Sequence, residues 1–92
     1  MIAQTGALKL KAAVPNPATN QASVEFETSE AGIVQISLID GEGRVVRRPE
    51  NESLTAGSYV RELSLNDLAA GMYWLELRAA GEVMREALVV VR

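Results

Sequence analysis

The sequence predicts an all-β fold, an immunoglobulin-like β-sandwich of about seven strands, and three observations carry that expectation. Apolar residues recur with a period of two along most of the chain, where an amphipathic helix would show 3.6. Glycine, proline and asparagine clusters break these alternating runs at regular spacing. At 92 residues the chain has room for one domain and one core.

Taken in order, the strands fall near 7–14, 22–28, 33–40, 44–48, 58–65, 72–79 and 82–91. The first ends at Pro15-Asn16-Pro17, which fits neither a regular helix nor a central strand. In the second, Val24 and Phe26 alternate with Glu25 and Glu27, as on a half-buried strand. Ser29-Glu30-Ala31-Gly32 separates it from the third, where Val34, Ile36 and Leu38 alternate with Gln35, Ser37 and Ile39. Asp40-Gly41-Glu42-Gly43 reads as a tight hairpin turn into the fourth. Two stretches, Leu54-Thr55-Ala56-Gly57 and Leu68-Ala69-Ala70-Gly71, each end in a glycine ahead of an aromatic strand. Tyr59, Leu63 and Leu65 share one parity in the fifth strand. Between the fifth and sixth, Asn66 to Ala70 is the only helical candidate, a single turn with Asn66 or Asp67 as its cap. In the sixth, Tyr73, Leu75 and Leu77 oppose Trp74, Glu76 and Arg78. Ala80-Gly81-Glu82 makes the last hairpin, after which Met84, Leu88 and Val90 share a face and the run turns apolar on both faces near its end.

Composition narrows the function. A net charge of -3 lacks the basic stripe that nucleic acid requires. With neither cysteine nor histidine, the chain has no thiolate, no disulfide, no common general base and no imidazole ligand. No apolar run approaches the ~18 residues of a membrane span. Met1 to Gly6 has no cationic start leading into an apolar stretch, so no signal peptide is expected there; the chain either stays inside the cell or is a piece of a longer one. The serines have no base to activate them, and the only lysines, Lys9 and Lys11, both fall in the first strand. Glu25 and Glu27 read as a solvated face, not a catalytic pair. Asp40 and Glu42 lack the further oxygen ligands of a calcium loop, and Gly41-x-Gly43 leads into a hairpin, not the helix of a dinucleotide site. No catalytic residue, metal site or cofactor is expected, and the chain is not read as an enzyme.

Val14-Pro15-Asn16-Pro17-Ala18-Thr19-Asn20 opens a series of motifs that arrive in order. Ile39-Asp40-Gly41-Glu42-Gly43-Arg44-Val45-Val46 follows, then Leu54-x-x-Gly57-x-Tyr59. Leu65-x-x-Leu68-x-x-Gly71-Met72-Tyr73 comes next, and Ala87-Leu88-Val89-Val90-Val91-Arg92 closes the set. Together these resemble the type A C-terminal sorting domains of the bacterial type IX secretion system, over about residues 8 to 92, with residues 1–7 as a linker. One departure stands out: where many relatives carry a lysine pair before the final apolar tail, this chain has Arg85-Glu86-Ala87. The Pro-Asn-Pro start is also similar to the immunoglobulin-like domain of flagellar hook-capping proteins, an adhesive or assembly module and the alternative reading.

The sorting resemblance implies an N-terminal cargo domain, an outer-membrane type IX translocon and a sortase-like protease that cuts in the linker. The cargo would pass through the periplasm and reach the cell surface or the medium, with surface attachment. Recognition is then expected on the final strand, Leu88, Val89, Val90, Val91 and Arg92, and on the turn at Pro15, Asn16 and Pro17. A last strand with two apolar faces can add to a receptor's sheet edge, or form a strand-exchanged homodimer. Leu88 and Val90 read first as core, while Val89 and Val91 are less easily absorbed by it. Arg44, Arg47 and Arg48 read as edge-strand charges that prevent unwanted pairing, with anion binding as the alternative. Trp74 is expected beneath a neighbouring loop or strand, the alternative being an exposed aromatic that stacks on a sugar. Asn51-Glu52-Ser53 has the form of a glycosylation sequon only.

Overall fold

The computed structural model describes residues 8–48, 51–79 and 81–92. The expected linker at 1–7, the start of the first expected strand and Ala80 of the last hairpin lie outside the described residues. Eight strands appear among the described residues: β1 Leu8–Val14, β2 Gln21–Thr28, β3 Gly32–Ile39, β4 Val45–Arg47, β5 Glu52–Leu54, β6 Gly57–Ser64, β7 Gly71–Ala79 and β8 Glu82–Val90. They form two antiparallel sheets, one ordered β1-β2-β6 and the other β4-β3-β7-β8, with β5 pairing the start of β3. The all-β sandwich expected from the sequence is the fold found.

Two expectations need correction. The fourth strand stops at Arg47, and a further strand, β5, pairs Glu52 to Leu54 with Val34 to Gly32. A three-residue strand shows too little alternation for a period to be read. The turn of helix at 66–70 is absent; the chain instead makes a tight turn, with the Leu68 amide donating to Leu65 O at 3.2 Å and Asp67 at a φ of 72°. Aspartate tolerates that left-handed backbone better than most residues. With no helix following, Asn66 caps nothing.

The period-two pattern decides which side chains enter the core. Val24 and Phe26 of β2 are wholly buried, as are Leu38 of β3, Leu75 and Leu77 of β7 and Leu88 of β8. The alternate residues of β2 face solvent, where Lys11 bridges Glu27 at 3.0 Å and Glu25 at 3.7 Å. Both Leu-x-x-Gly-x-Tyr stretches build the same corner. Each tyrosine hydroxyl donates to the carbonyl four residues back, Tyr59 to Thr55 at 2.7 Å and Tyr73 to Ala69 at 2.6 Å. In each the glycine takes a φ of 155°, a conformation side chains rarely adopt, and the Tyr59 ring lies over Gly57. The ring also stacks on Phe26, centroids 5.7 Å apart, beneath the Arg61 guanidinium. Arg61 in turn holds both oxygens of Glu52, at 2.7 and 2.8 Å, tying β6 of one sheet to β5 of the other.

On the outer face of the larger sheet Glu76 is only 5% exposed. Arg78 Nε reaches one of its oxygens at 3.0 Å and Arg85 Nη2 the other at 2.9 Å. Burial by itself would raise the Glu76 pKa, but the hydrogen bonds from Arg85 and Arg78 outweigh it and hold the group below its ordinary 4.5.

Two measurements check this account. Phe26→Ala is expected to cost about 3–5 kcal/mol in urea unfolding, because it removes a wholly buried ring, while Val60→Ala on the outer face should stay within about 0.5 kcal/mol. A depressed carboxylate adds stability above its unfolded pKa and loses it as the pH falls through the folded one. The stability gap between wild type and Glu76→Gln should therefore be full at neutral pH and shrink below pH 4.5. A gap that stays constant into acid would show that the Glu76 charge contributes nothing.

Candidate functional site

The turn at Pro15, Asn16 and Pro17 and the last strand, expected separately from the sequence, form one structure. After pairing with β2 the chain leaves the smaller sheet at Val14, passes through cis Val14–Pro15 and Asn16–Pro17 bonds, and meets the outer edge of β8. There Ala18 forms a parallel bridge with Val90. The Ala18 amide donates to Val89 O and the Val91 amide to Ala18 O, both at 2.8 Å. One step earlier the Asn16 side chain continues the pattern. Its Nδ2 donates to Ala87 O at 3.1 Å, and its Oδ1 accepts from the Val89 amide at 3.0 Å. A primary amide offers the donor and acceptor of a peptide unit, so here a side chain does the work of a strand.

Arg92 fixes the far end. Its guanidinium donates to Leu68 O at 3.0 Å from Nε and 2.8 Å from Nη2, and also to Thr19 O and Leu65 O. Arg47 acts likewise from β4, donating to Ser64 O at 3.0 Å and to Asn66 O. The 64–68 turn leaves its carbonyls without ladder partners, and two guanidinium groups supply donors. The Leu65 amide closes the circle by donating to Asn20 O at 2.8 Å.

The candidates separate by role. Leu88 and Val90 point into the core at 0% and 1% exposure, whereas Val89 and Val91 face outward at 38% and 41%. Val89 lies directly across from Met72, and Ile39, Trp74 and Ala87 form the next row over three strands. Val45 follows beside Ile39. The result is an exposed apolar face next to the Pro15–Pro17 turn, bounded on β7 and β8 by the Glu76–Arg85 pair. Trp74 is 37% exposed on this face, which corrects the expectation of burial. Sequence reasoning missed Met72, Ile39 and Val45. The signal for Met72 was its shared parity with Trp74; that for Ile39 and Val45 was not local, since their neighbours come from other strands.

The remaining motifs serve the backbone. Asp40 Oδ1 accepts from the amides of Glu42 and Arg44 at 2.9 Å, and Gly43 turns the chain at a φ of 88°. The Arg44 amide is the main reason the Asp40 carboxyl sits below its ordinary pKa, with burial opposing it. The residues at Asp40 and Glu42 thus form a turn, as expected. No group of three or more carboxylate, histidine or cysteine side chains suited to a metal ion occurs among the described residues. The basic cluster is dispersed: Arg44 pairs with Asp40 and Glu42, and Arg47 is taken up by carbonyls. Arg85, in the place of the lysine pair, is bound to Glu76.

The family model described as the secretion system C-terminal sorting domain matches residues 12–91. No curated protein matches the chain.

Proposed function

This chain belongs to the secretion system C-terminal sorting domain family, and from that premise we propose that the Pro15–Pro17 turn and the outer face of Met72, Trp74, Val89 and Val91 are its recognition surface. The domain is a C-terminal sorting signal of type IX secretion. A cargo therefore lies on its N-terminal side, and its destination is the cell surface or the extracellular space. The single observation behind the surface assignment is the bonding of Asn16 to Ala87 and Val89, which joins two segments 71 and 73 residues apart beside exposed apolar side chains.

The closed edge of β8 bears on how the surface is used. With residues 16–18 seated there, Ala87 O, Val89 N, Val89 O and Val91 N are taken, so a receptor that meets this closed form contacts it there through side chains. Pro15 and Pro17 fix two backbone dihedrals in the turn, which leaves less entropy to lose on contact. Arg85, bound to Glu76, is not offered as a free cation, so apolar contact carries more of the recognition than charge.

In this reading the partner is the outer-membrane translocon, reached by way of the periplasm. A sortase-like protease removes the domain by cutting in the linker at 1–7, which lies outside the described residues, and the cargo is attached at the surface. The domain acts as a tag; with no histidine or cysteine the chain lacks the usual catalytic nucleophile–base pairs. No homodimer is needed for this role.

The test is export of a fluorescent reporter carrying a signal peptide and these 92 residues in a type IX-competent host. Wild type should reach the surface or medium only with an intact translocon. Deleting Leu88 to Arg92 should abolish export, with a folding assay alongside, since Leu88 and Val90 are core. Met72→Asp and Val89→Asp leave the core intact and should lower export by about tenfold, the effect of losing roughly 1.4 kcal/mol of binding. Normal export of both folded variants would overturn the surface assignment.

A further inference from the structure

We propose that the outer edge of β8 at Ala87 to Val91 is a strand-acceptor slot occupied by the chain's own residues 16–18, and that it accepts in their place an extended partner segment running parallel to β8. The direction follows from the bridge between Ala18 and Val90, which is parallel. The slot has a side-chain rule as well. Ala18 is 0% exposed, so the residue bonded to Val89 O and Val91 N packs its side chain into the interior, and the slot is expected to favour one as small as alanine there.

The present occupant is an imperfect strand, and this is what makes it replaceable. At Ala87 O and Val89 N the partner is the Asn16 side chain, where a true strand would offer its backbone. Both of those bonds are solvent-exposed, and Pro15, Asn16, Pro17 and Thr19 are exposed too. Segments held by few buried contacts and exposed hydrogen bonds open at the low end of a protein's stability range. A regular strand in the slot would bond through its backbone at every position now served by Asn16. Pro15 and Pro17 offer no N–H on the outer side, so the occupant does not itself present an edge for further addition. Arg92 holds the occupant shut through Thr19 O, while its other bonds, to Leu65 O and Leu68 O, anchor it to the 65–68 turn.

This goes beyond the sorting role and does not depend on it, because the test needs only the 92-residue chain in solution. Hydrogen exchange is read at single amides for wild type, Asn16→Ala and Arg92→Met. Both variants should speed exchange of the Val89 and Val91 amides by about tenfold or more, with the central amide of Leu75 unchanged. A synthetic peptide of residues 14–20 is then added at millimolar concentration to Asn16→Ala. It should restore protection at Val89 and Val91, whereas the same peptide with leucine in place of Ala18 should not. Should Asn16→Ala fail to fold, Arg92→Met carries the peptide arm. Unchanged protection of Val89 in the folded variants, no rescue by the peptide, or equal rescue by the leucine peptide would each overturn the proposal. So would a dimer of the opened variant in which two β8 strands pair antiparallel.

Discussion

The outward main-chain groups of the last strand have to be satisfied, and much of the rest of the structure is arranged around that need. An edge strand leaves a row of amides and carbonyls without partners, and an unguarded row invites pairing with another chain. Here the chain leaves the smaller sheet after Val14 and returns as residues 16–18 on the edge of β8. One short segment thereby covers the edge from Ala87 to Val91, joins the two sheets at one side of the sandwich, and brings the start of the fold against its end. The opposite side is tied by the bidentate pair of Arg61 and Glu52.

Guanidinium groups complete what the sheets leave undone. Arg47 and Arg92 together donate to carbonyls of Ser64, Leu65, Asn66 and Leu68, in a turn with no ladder of its own. A planar five-donor group suits this work, since one side chain can reach two or three oxygens. The consequence for function is that most of the positive charge near the turn is already engaged. Beside these engaged groups Met72, Trp74, Val89 and Val91 remain exposed, and the proposed recognition surface takes its apolar character from them.

The motifs that carry the family resemblance are largely devices for turning the chain. Asp40 gathers the amides of its hairpin around one carboxylate oxygen, and Gly43 supplies the left-handed backbone that the turn requires. Gly57 and Gly71 take the same rare φ, and Tyr59 and Tyr73 repeat one hydroxyl-to-carbonyl bond. A sequence signature made of them identifies the fold and family, and the surface proposed for recognition lies largely between them.

The alternation of β2, β3 and β7 was legible in the sequence because a strand has a side-chain period of two and one face must be apolar. Turn positions were legible for a similarly local reason: few residues tolerate a positive φ or lack an amide hydrogen. The division of the last strand into buried Leu88 and Val90 and outward Val89 and Val91 followed from the same parity. β5 escaped notice because three residues carry no period, and the helical reading of 66–70 failed because short polar residues favour caps and turns alike. Only the tertiary structure could show that Asn16 is a substitute strand, that Arg85 and Arg92 are already bound, and that Ile39, Val45, Met72 and Trp74 share one exposed face. Local pattern is set by neighbours along the chain, and those pairings depend on residues that come from distant parts of it.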